Sequence, residues 1–332
     1  MLPSMFVATT AWMANAPLRN HHLCAHAASP ATPMMSAEAA AKAAWLSRNT
    51  PSWSPPGGFV GSVAQTAPAW GQAQAYVPPP NLVHAPIAHF ALDKLAPKGT
   101  RRSQGGLVDV GEPADFSRPL ALDADGKAIS WCEARVGSWA CTEGGWDSPK
   151  LRPTTESFLV LDGAGRVCDA DGTEHPFGPG DVVVLPKHWH GRWDIYQTIH
   201  KLWVVHDHPD VPGAADGVVR AVVAPVPDAS HAMHAPPLVE GALRQAPAHV
   251  AHTIYNVGPT RVGFLSCQHG NFAVAERPTA EIFFVTAGVF YLTNADGSAR
   301  RCVAGDTVVL PRGWAGHWDI IEPVTKVWVE VE

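Results

Sequence analysis

The sequence repeats itself once, and this repeat constrains the fold more than any other feature of the chain. Residues 156–205 align with residues 281–330 without a gap, at a constant offset of 125, and roughly 21 of the 50 aligned positions are identical. The similarity extends upstream, where RVGSWACTEGGW from Arg135 aligns with RVGFLSCQHGNF from Arg261. Each unit is therefore at least ~70 residues long, which is too long for a solenoid repeat and typical of a duplicated domain.

Each unit reads as a series of short β-strands. Residues 156–161 and 281–286 are rich in branched and aromatic side chains, as strands are. The segments DADG (169–172) and NADG (294–297) are typical hairpin turns, and the runs VVVLP and TVVLP that follow indicate buried strands. No helical periodicity lies between these signals. The sequence therefore predicts an all-β fold of two small antiparallel sandwiches or barrels.

Composition excludes two classes of protein. No stretch of the 332 residues approaches the roughly 18 uncharged apolar residues that a membrane helix needs, so no membrane partner is expected. The formal net charge of -6 argues against a nucleic-acid partner. The six cysteines are scattered without CxxC pairs, which favours reduced thiols in an intracellular protein and hence a cytoplasmic location.

The first 80 residues differ from the rest of the chain. Alanine, proline and serine dominate them, and they lack the periodic branched and aromatic residues that a core needs. We therefore expect a largely disordered extension over residues 1–80, followed by one folded unit over residues 81–210 and a second over residues 211–332. The scarcity of acidic residues in the extension also resembles an organelle transit peptide, so targeting stays open as an alternative.

The order of motifs in both units resembles the cupin superfamily, whose units are jelly-roll barrels. A glutamate-led strand that ends in glycine (ExFxVxxG) is followed by a polar hairpin, then by GDxVVLPxxWxGxWDI and a lysine strand, KxWV. This version looks like the ureidoglycine aminohydrolase-type cupins, a branch that also includes the ethanolamine-utilisation cupin. The resemblance covers residues ~130–205 and ~256–331. It implies two tandem cupin barrels, a bicupin, and a manganese-dependent aminohydrolase activity.

The metal ligands that such a resemblance implies are only partly present. Metal-binding cupins carry an HxH motif shortly before the strand glutamate and one more histidine after the following turn. Glu156 and Glu281 match the glutamate, but Arg152 stands among the residues where the first histidines are expected. The later histidine position falls on or near Gly191 and Gly316. The usual four-ligand cage is thus absent from both units, and we expect no cofactor.

A metal site in the first unit stays as the minor alternative. His188 and His190 lie where the second motif would deliver its histidine, and Glu156 could be a third ligand. Imidazole and carboxylate ligands with open positions suit Mn, Fe, Ni or Zn. The second unit has Gly313 and Ala315 at the equivalent positions.

A repeated pair of opposite charges suggests a different centre. A glutamate in the first strand and a lysine in the last recur in both units, inside otherwise apolar strands. Because a lone buried carboxylate is costly, we expect the two to share a hydrogen bond inside each barrel, as a structural pair or as part of a ligand site. Repeated tryptophans could stack on a ligand. The candidate ligand-binding residues are Glu156, Lys201 and Trp193 in the first unit and Glu281, Lys326 and Trp318 in the second.

Two functions stay open at this point. The first is a bicupin that binds a small polar or carboxylate ligand in its barrel without a metal cage. The alternative is a metal-dependent hydrolase or isomerase of the ureidoglycine aminohydrolase type. Both require a small-molecule partner, and whether the chain forms a homodimer is left open.

Overall fold

The computed structural model describes residues 79–211, 217–227 and 247–332. The expected extension, residues 1–80, lies outside the described residues apart from Pro79 and Pro80. The described chain consists of β-strands, their connections and two short 3-10 helices, Ile87–Phe90 and Leu92–Lys94. None of its helices has the length and apolar character needed to cross a membrane.

Nineteen strands are described, and they form two sheets. The first eleven run from the start of the described chain to the end of the first unit: β1 (Val83–Ala85), β2 (Ala96–Thr100), β3 (Leu107–Val110), β4 (Ala114–Pro119), β5 (Ser130–Trp131), β6 (Ala134–Cys141), β7 (Gly144–Ser148), β8 (Thr155–Asp169), β9 (Glu174–Phe177), β10 (Asp181–Leu185) and β11 (Gly191–His206). The others are β12 (Val222–Pro225), β13 (His249–Val257), β14 (Thr260–Cys267), β15 (Gly270–Val274), β16 (Ala280–Asn294), β17 (Ala299–Val303), β18 (Thr307–Leu310) and β19 (Gly316–Val331).

Each sheet contains one pair of long neighbouring strands near its centre. The larger sheet has the order β12-β10-β8-β11-β6-β4-β2, with β3, β5, β7 and β9 paired beside it. The smaller sheet has the order β1-β18-β16-β19-β14-β13, with β15 and β17 paired beside it. The long pairs β8–β11 and β16–β19 are antiparallel and shift register near their middle, where the strands bend between the two layers of a barrel.

A repeated glycine allows this bend. Gly163 and Gly288 have φ angles of +84° and +94°, in the left-handed region. A Cβ on Gly163 would lie 2.2 Å from the carbonyl oxygen of Thr198, and one on Gly288 would lie 2.3 Å from that of Pro323. Because both the backbone conformation and the lack of space exclude a side chain, glycine ends the ExFxVxxG motif in each unit.

The two sheets exchange one strand each. Strand β1 precedes the other strands of the first unit but pairs with β18, where His84 lies opposite Val308. Strand β12 precedes the strands of the second unit but pairs with β10, where Val223 lies opposite Val183. Since Val183 and Val308 are equivalent in the repeat, the exchange is reciprocal. The expected boundaries at 81–210 and 211–332 stay a prediction, because each sheet takes one strand from the other segment.

The alternation of side chains along the strands separates three apolar clusters. Phe158 and Val183 face the interior of the first barrel, and Phe283 faces that of the second. Neighbouring residues such as Leu159 and Ile282 point to the opposite side and join a third cluster with members from both halves. This period of two is what a strand imposes on its side chains. The predicted all-β architecture of two tandem jelly-roll barrels is confirmed.

Candidate functional site

The predicted glutamate–lysine pair is present in the first barrel. Glu156 lies near the start of β8 and Lys201 on the neighbouring β11, and Lys201 Nζ donates a hydrogen bond of 2.8 Å to Glu156 Oε1. Both side chains are buried. The ammonium group also lies 3.7 Å from the ring centroid of Phe158 and 4.8 Å from that of Trp193. One carboxylate and the aromatic faces therefore surround the lysine charge.

The second barrel repeats this arrangement. Lys326 Nζ donates a hydrogen bond of 2.6 Å to Glu281 Oε1, and both residues are buried. The ammonium group lies 4.2 Å from the ring centroid of Phe283 and 4.7 Å from that of Trp318. The predicted contact is thus confirmed in both copies, while a ligand-binding role for these residues stays a prediction.

An arginine completes each pair, and sequence reasoning did not assign it this role. Arg152 Nη2 lies 2.6 Å from the second carboxylate oxygen of Glu156, and Arg277 Nη1 lies 3.2 Å from that of Glu281. Backbone hydrogen bonds with the turn before the last long strand hold each arginine in place, as Arg152 N donates to the Trp189 carbonyl. The signal was available, because RPTTE and RPTAE recur at the same place in both units.

The charges of the first triad are unbalanced. Burial alone would raise the pKa of Glu156, but Lys201 and Arg152 overcome this and lower it to about 2. Burial lowers the pKa of Lys201 to about 8, against the attraction of Glu156 and with added repulsion from Arg152 and Arg101. The cluster thus stabilises its carboxylate charge and disfavours its lysine charge, as expected where cations outnumber anions.

A cavity of about 280 Å³ lies against this triad in the first barrel. The Arg101 guanidinium enters it from the chain between β2 and β3, and lies 5.2 Å from the ring centroid of Trp139 and 4.9 Å from that of Trp146. Trp146 and Trp193 stack on each other with ring centroids 5.9 Å apart. Three cations, one carboxylate and four tryptophans line this space: Arg101, Arg152, Lys201, Glu156, Trp139, Trp146, Trp193 and Trp203.

The cavity of the second barrel is larger, about 440 Å³, and carries a different set of charges. Glu281, Lys326 and Arg277 line it as their equivalents line the first, and Trp318 stacks on Phe272. A second carboxylate, Glu330, joins the wall and lies 2.9 Å from Arg261 Nη2. The predicted residues Trp193 and Trp318 therefore both face a cavity beside a charged triad.

The barrel residues do not fit a divalent metal ion at the strand glutamate. Both oxygens of Glu156 are already bound by cations, which would repel a metal ion. At the position of the later histidine, a Cβ on Gly191 would lie 2.0 Å from the Cys168 carbonyl oxygen. A Cβ on Gly316 would lie 2.3 Å from the Thr293 carbonyl oxygen. Neither barrel has space there for the side chain that a metal cage requires.

The alternative metal set of Glu156, His188 and His190 is not assembled either. His188 Nε2 lies 3.2 Å from Asp210 Oδ1, and His190 Nδ1 lies 3.5 Å from the His188 carbonyl oxygen. In the described ranges, the ligand atoms of these three residues do not come within 4.8 Å of one another. We derive no step through a metal ion in the barrels.

Comparison with known proteins agrees with this architecture. The sequence model of the EutQ-like cupin domain matches the chain twice, at residues 133–203 and 256–328. These ranges contain all three residues of each triad. No curated protein sequence matches the chain. The chain contains two cupin domains in tandem.

Several solved structures are similar to the chain at low sequence identity, and one of them reaches a TM-score above 0.5. A protein from Pseudomonas aeruginosa described as glyoxylate-induced has a TM-score of 0.51 and 14% identity, and the match covers 84% of this chain and 95% of that one. A cupin 2 conserved barrel domain protein from Leptotrichia buccalis has a TM-score of 0.45 and 10% identity, covering 68% and 98%. A variant of oxalate decarboxylase from Bacillus subtilis has a TM-score of 0.40 and 13% identity, covering 68% and 74%.

Proposed function

We propose that the first barrel binds a small carboxylate with a flat apolar body, held by cations at the place where metal-binding cupins hold an ion. The observation that carries this proposal is the buried triad of Lys201, Glu156 and Arg152 beside a cavity walled by tryptophans.

Charge supports an anionic ligand. Three cations and one carboxylate line the first cavity. Lys201 and Arg152 share Glu156, whereas Arg101 Nε lies 3.0 Å from Asp115 Oδ1. The Nε atom of Arg152 is buried and has no hydrogen-bond partner in the part of the chain that the structure describes. A ligand carboxylate would accept hydrogen bonds from such guanidinium donors and would restore the favourable environment that Lys201 lacks. Guanidinium groups suit this role because their planar donors match a carboxylate.

Shape supports a small, flat ligand. The cavity volume of about 280 Å³ lies just below the ~300–1,000 Å³ common for small-molecule sites. Its apolar walls are the rings of Trp139, Trp146 and Trp193, which favour a planar body over a branched one. A ring or a conjugated chain that bears one carboxylate satisfies both requirements.

The resemblance to ureidoglycine aminohydrolase-type cupins is compatible with this proposal. In our proposal, the chain keeps the barrel and the strand glutamate of that branch, and cations take the place of the histidine ligands. A metal-dependent hydrolase or isomerase needs ligands that the residues around Glu156 and Glu281 do not supply. Binding of the carboxylate is therefore the function we favour.

Calorimetric titration with benzoate tests the proposal, with benzamide as its uncharged analogue of the same shape. We expect benzoate to bind and benzamide to bind at least tenfold more weakly. The variant Arg101→Gln should weaken benzoate binding by about 10- to 150-fold, since a hydrogen bond to a charged group contributes ~1.5–3 kcal/mol. The ion pair of Arg101 is with Asp115 and not with Glu156, so this variant spares the contacts of the triad but removes the cationic partner of Asp115.

The matched control is Arg261→Gln, which removes a cation from the wall of the second cavity. It should leave the affinity of the first barrel for benzoate unchanged. Equal affinity for benzoate and benzamide, or an unchanged affinity in Arg101→Gln, would contradict the proposal.

A further inference from the structure

Three metal-ligating side chains meet at the turn between β17 and β18, away from the residues that line the two barrel cavities. His84 comes from the exchanged strand β1, Cys302 from β17 and Asp306 from the turn itself. One ligand atom from each residue lies within 4.8 Å of the other two, in the one such group found among the described residues. His84 Nε2 lies 2.8 Å from Asp306 Oδ2. Cys302 and Asp306 are buried, and His84 is half-buried.

The first barrel shows what this turn needs for folding alone. Its aspartate, Asp181, accepts a hydrogen bond of 2.8 Å from the backbone N–H of Gly178. Asp306 does the same in the second barrel, where it accepts a hydrogen bond of 3.0 Å from the N–H of Val303. Aspartate is common in turns because its side chain binds nearby backbone donors. The shared aspartate is therefore explained by the turn.

The histidine and the cysteine are not explained by the turn. Phe177 occupies the position equivalent to Cys302, and Val223 of the exchanged strand β12 occupies the position equivalent to His84. The first barrel thus forms the same turn and the same strand exchange with two apolar side chains. The second barrel instead places a thiol and an imidazole around the aspartate, and both are metal ligands.

We propose that His84, Cys302 and Asp306 bind one divalent cation of the zinc type, which fastens strand β1 to the second barrel. Zinc accepts nitrogen, sulfur and oxygen ligands together, and its tetrahedral geometry places neighbouring donor atoms roughly 3.2–3.8 Å apart. The three donor atoms reach such distances by small movements of their side chains. Three protein ligands leave one position of the zinc for a water molecule.

Cation binding is coupled to loss of the Cys302 thiol proton, because sulfur binds zinc as a thiolate, and the cation also attracts the Asp306 carboxylate. On binding, the thiol releases one proton to solvent and its sulfur becomes the ligand. The neutral imidazole of His84 contributes its Nε2 lone pair.

Titration of the full-length protein with Co²⁺ tests the site, since cobalt substitutes for zinc and reports a thiolate ligand by charge-transfer absorption. We expect one equivalent of Co²⁺ to produce this absorption and Zn²⁺ to abolish it by competition. Cys302→Ser should remove the absorption. His84→Val, which installs the residue of the first barrel, should weaken Zn²⁺ binding by more than about 100-fold, since even outer-shell partners of a metal contribute ~10–100-fold.

A second thiol and imidazole set requires a control, because His21, His22, Cys24 and His26 lie close together in the sequence near the N-terminus. Cys24→Ser should leave the charge-transfer absorption unchanged. The proposal fails if the wild-type protein shows no such absorption, if the absorption persists in Cys302→Ser, or if it disappears in Cys24→Ser. As an independent measurement, Zn²⁺ should raise the melting temperature of the wild-type protein and not that of His84→Val. An equal rise in both would also overturn it.

Discussion

In the first barrel, Arg152 pairs with Glu156, and Arg101 adds a further cation to the same cavity. In the second barrel, Arg277 lies between two carboxylates, 3.2 Å from Glu281 and 3.8 Å from Glu330. The position equivalent to Glu330 in the first barrel is Val205, which lines its cavity. One pair of non-identical residues therefore places a second carboxylate in the wall of the second cavity, whereas the further carboxylate of the first barrel, Asp115, pairs with Arg101 and does not line the cavity.

This difference indicates how a duplicated fold acquires two kinds of cavity. The positions that both copies share, the glutamate, the lysine and the arginine, form the same triad inside each barrel. The positions that differ determine which charges a ligand meets in each cavity. The difference in charged residues between the two cavities therefore depends on Arg101, Val205 and Glu330 more than on the repeated glutamate–lysine pair.

The largest effect should come from removing the strand glutamate. Glu156→Gln removes the carboxylate that binds both Lys201 and Arg152 in the first barrel, whereas Glu281→Gln leaves Glu330 beside Arg277. Breaking a buried pair costs about 3–5 kcal/mol, so we expect Glu156→Gln to reach this range and Glu281→Gln to lie below it. Urea unfolding of both variants measures the free energy of unfolding. Equal losses would show that Glu330 does not compensate in the second barrel.

Placing the additional carboxylate of the second barrel in the first barrel should weaken benzoate binding there. Val205→Glu places a carboxylate where the second barrel has Glu330, and should weaken benzoate binding by at least tenfold, because the added charge satisfies Arg152 internally. Calorimetric titration measures this, and Val205→Gln is the matched neutral control, which should retain most of the affinity. An equal loss in both variants would attribute the effect to size rather than charge.

Benzoate affinity should depend on pH through Lys201. With its pKa lowered to about 8, Lys201 is charged below that pH and loses its charge above it. The affinity should therefore be constant from about pH 6 to 7.5 and fall by up to tenfold per pH unit above about 8. Because the pKa of Lys201 is lower in the folded than in the unfolded protein, this group adds stability as the pH rises from about 8 to 10.5, so the loss is not unfolding. A flat affinity up to pH 10 would contradict a role for Lys201.

The smallest effect should come from the aromatic wall. Trp146→Phe installs the residue that the second barrel has as Phe272, and keeps a ring that can stack on Trp193. We expect about a threefold loss of benzoate affinity, since an aromatic contact contributes ~0.5–1.5 kcal/mol beyond its buried area. Titration of this variant beside Phe272→Trp in the second barrel checks the assignment, because the second change should leave benzoate affinity unaltered.

Whether a site residue could be predicted from the sequence depends on whether it recurs at an aligned position of the repeat. The Glu156–Lys201 contact could be predicted because both residues recur and a jelly roll places their strands side by side. Arg152 recurs too, but its place before the glutamate indicated only a missing histidine. Arg101 lies outside the aligned repeat, so no equivalent pointed to it. Glu330 aligns with a valine, and a comparison that looks for identities passes over such a position.

The strand exchange had no sequence signal. Strands β1 and β12 are short and mostly apolar, and either barrel offers the same edge strand, β10 or β18, with the same VVL run. Local pattern therefore fits pairing within a unit and pairing across units equally well. Only the packing of the whole chain selects the exchange, and with it the meeting of His84 with Cys302 and Asp306.

The triad of the first barrel carries one positive charge more than Glu156 neutralises, and we propose that an anionic ligand supplies the missing charge. The pKa of the Lys201 ammonium group, followed by NMR of isotopically labelled lysine with and without saturating benzoate, tests this claim most directly. We predict a pKa near 8 in the free protein that rises by about one unit or more with benzoate, while the signal of Lys326 does not change. A Lys201 pKa that is the same with and without benzoate would contradict the account.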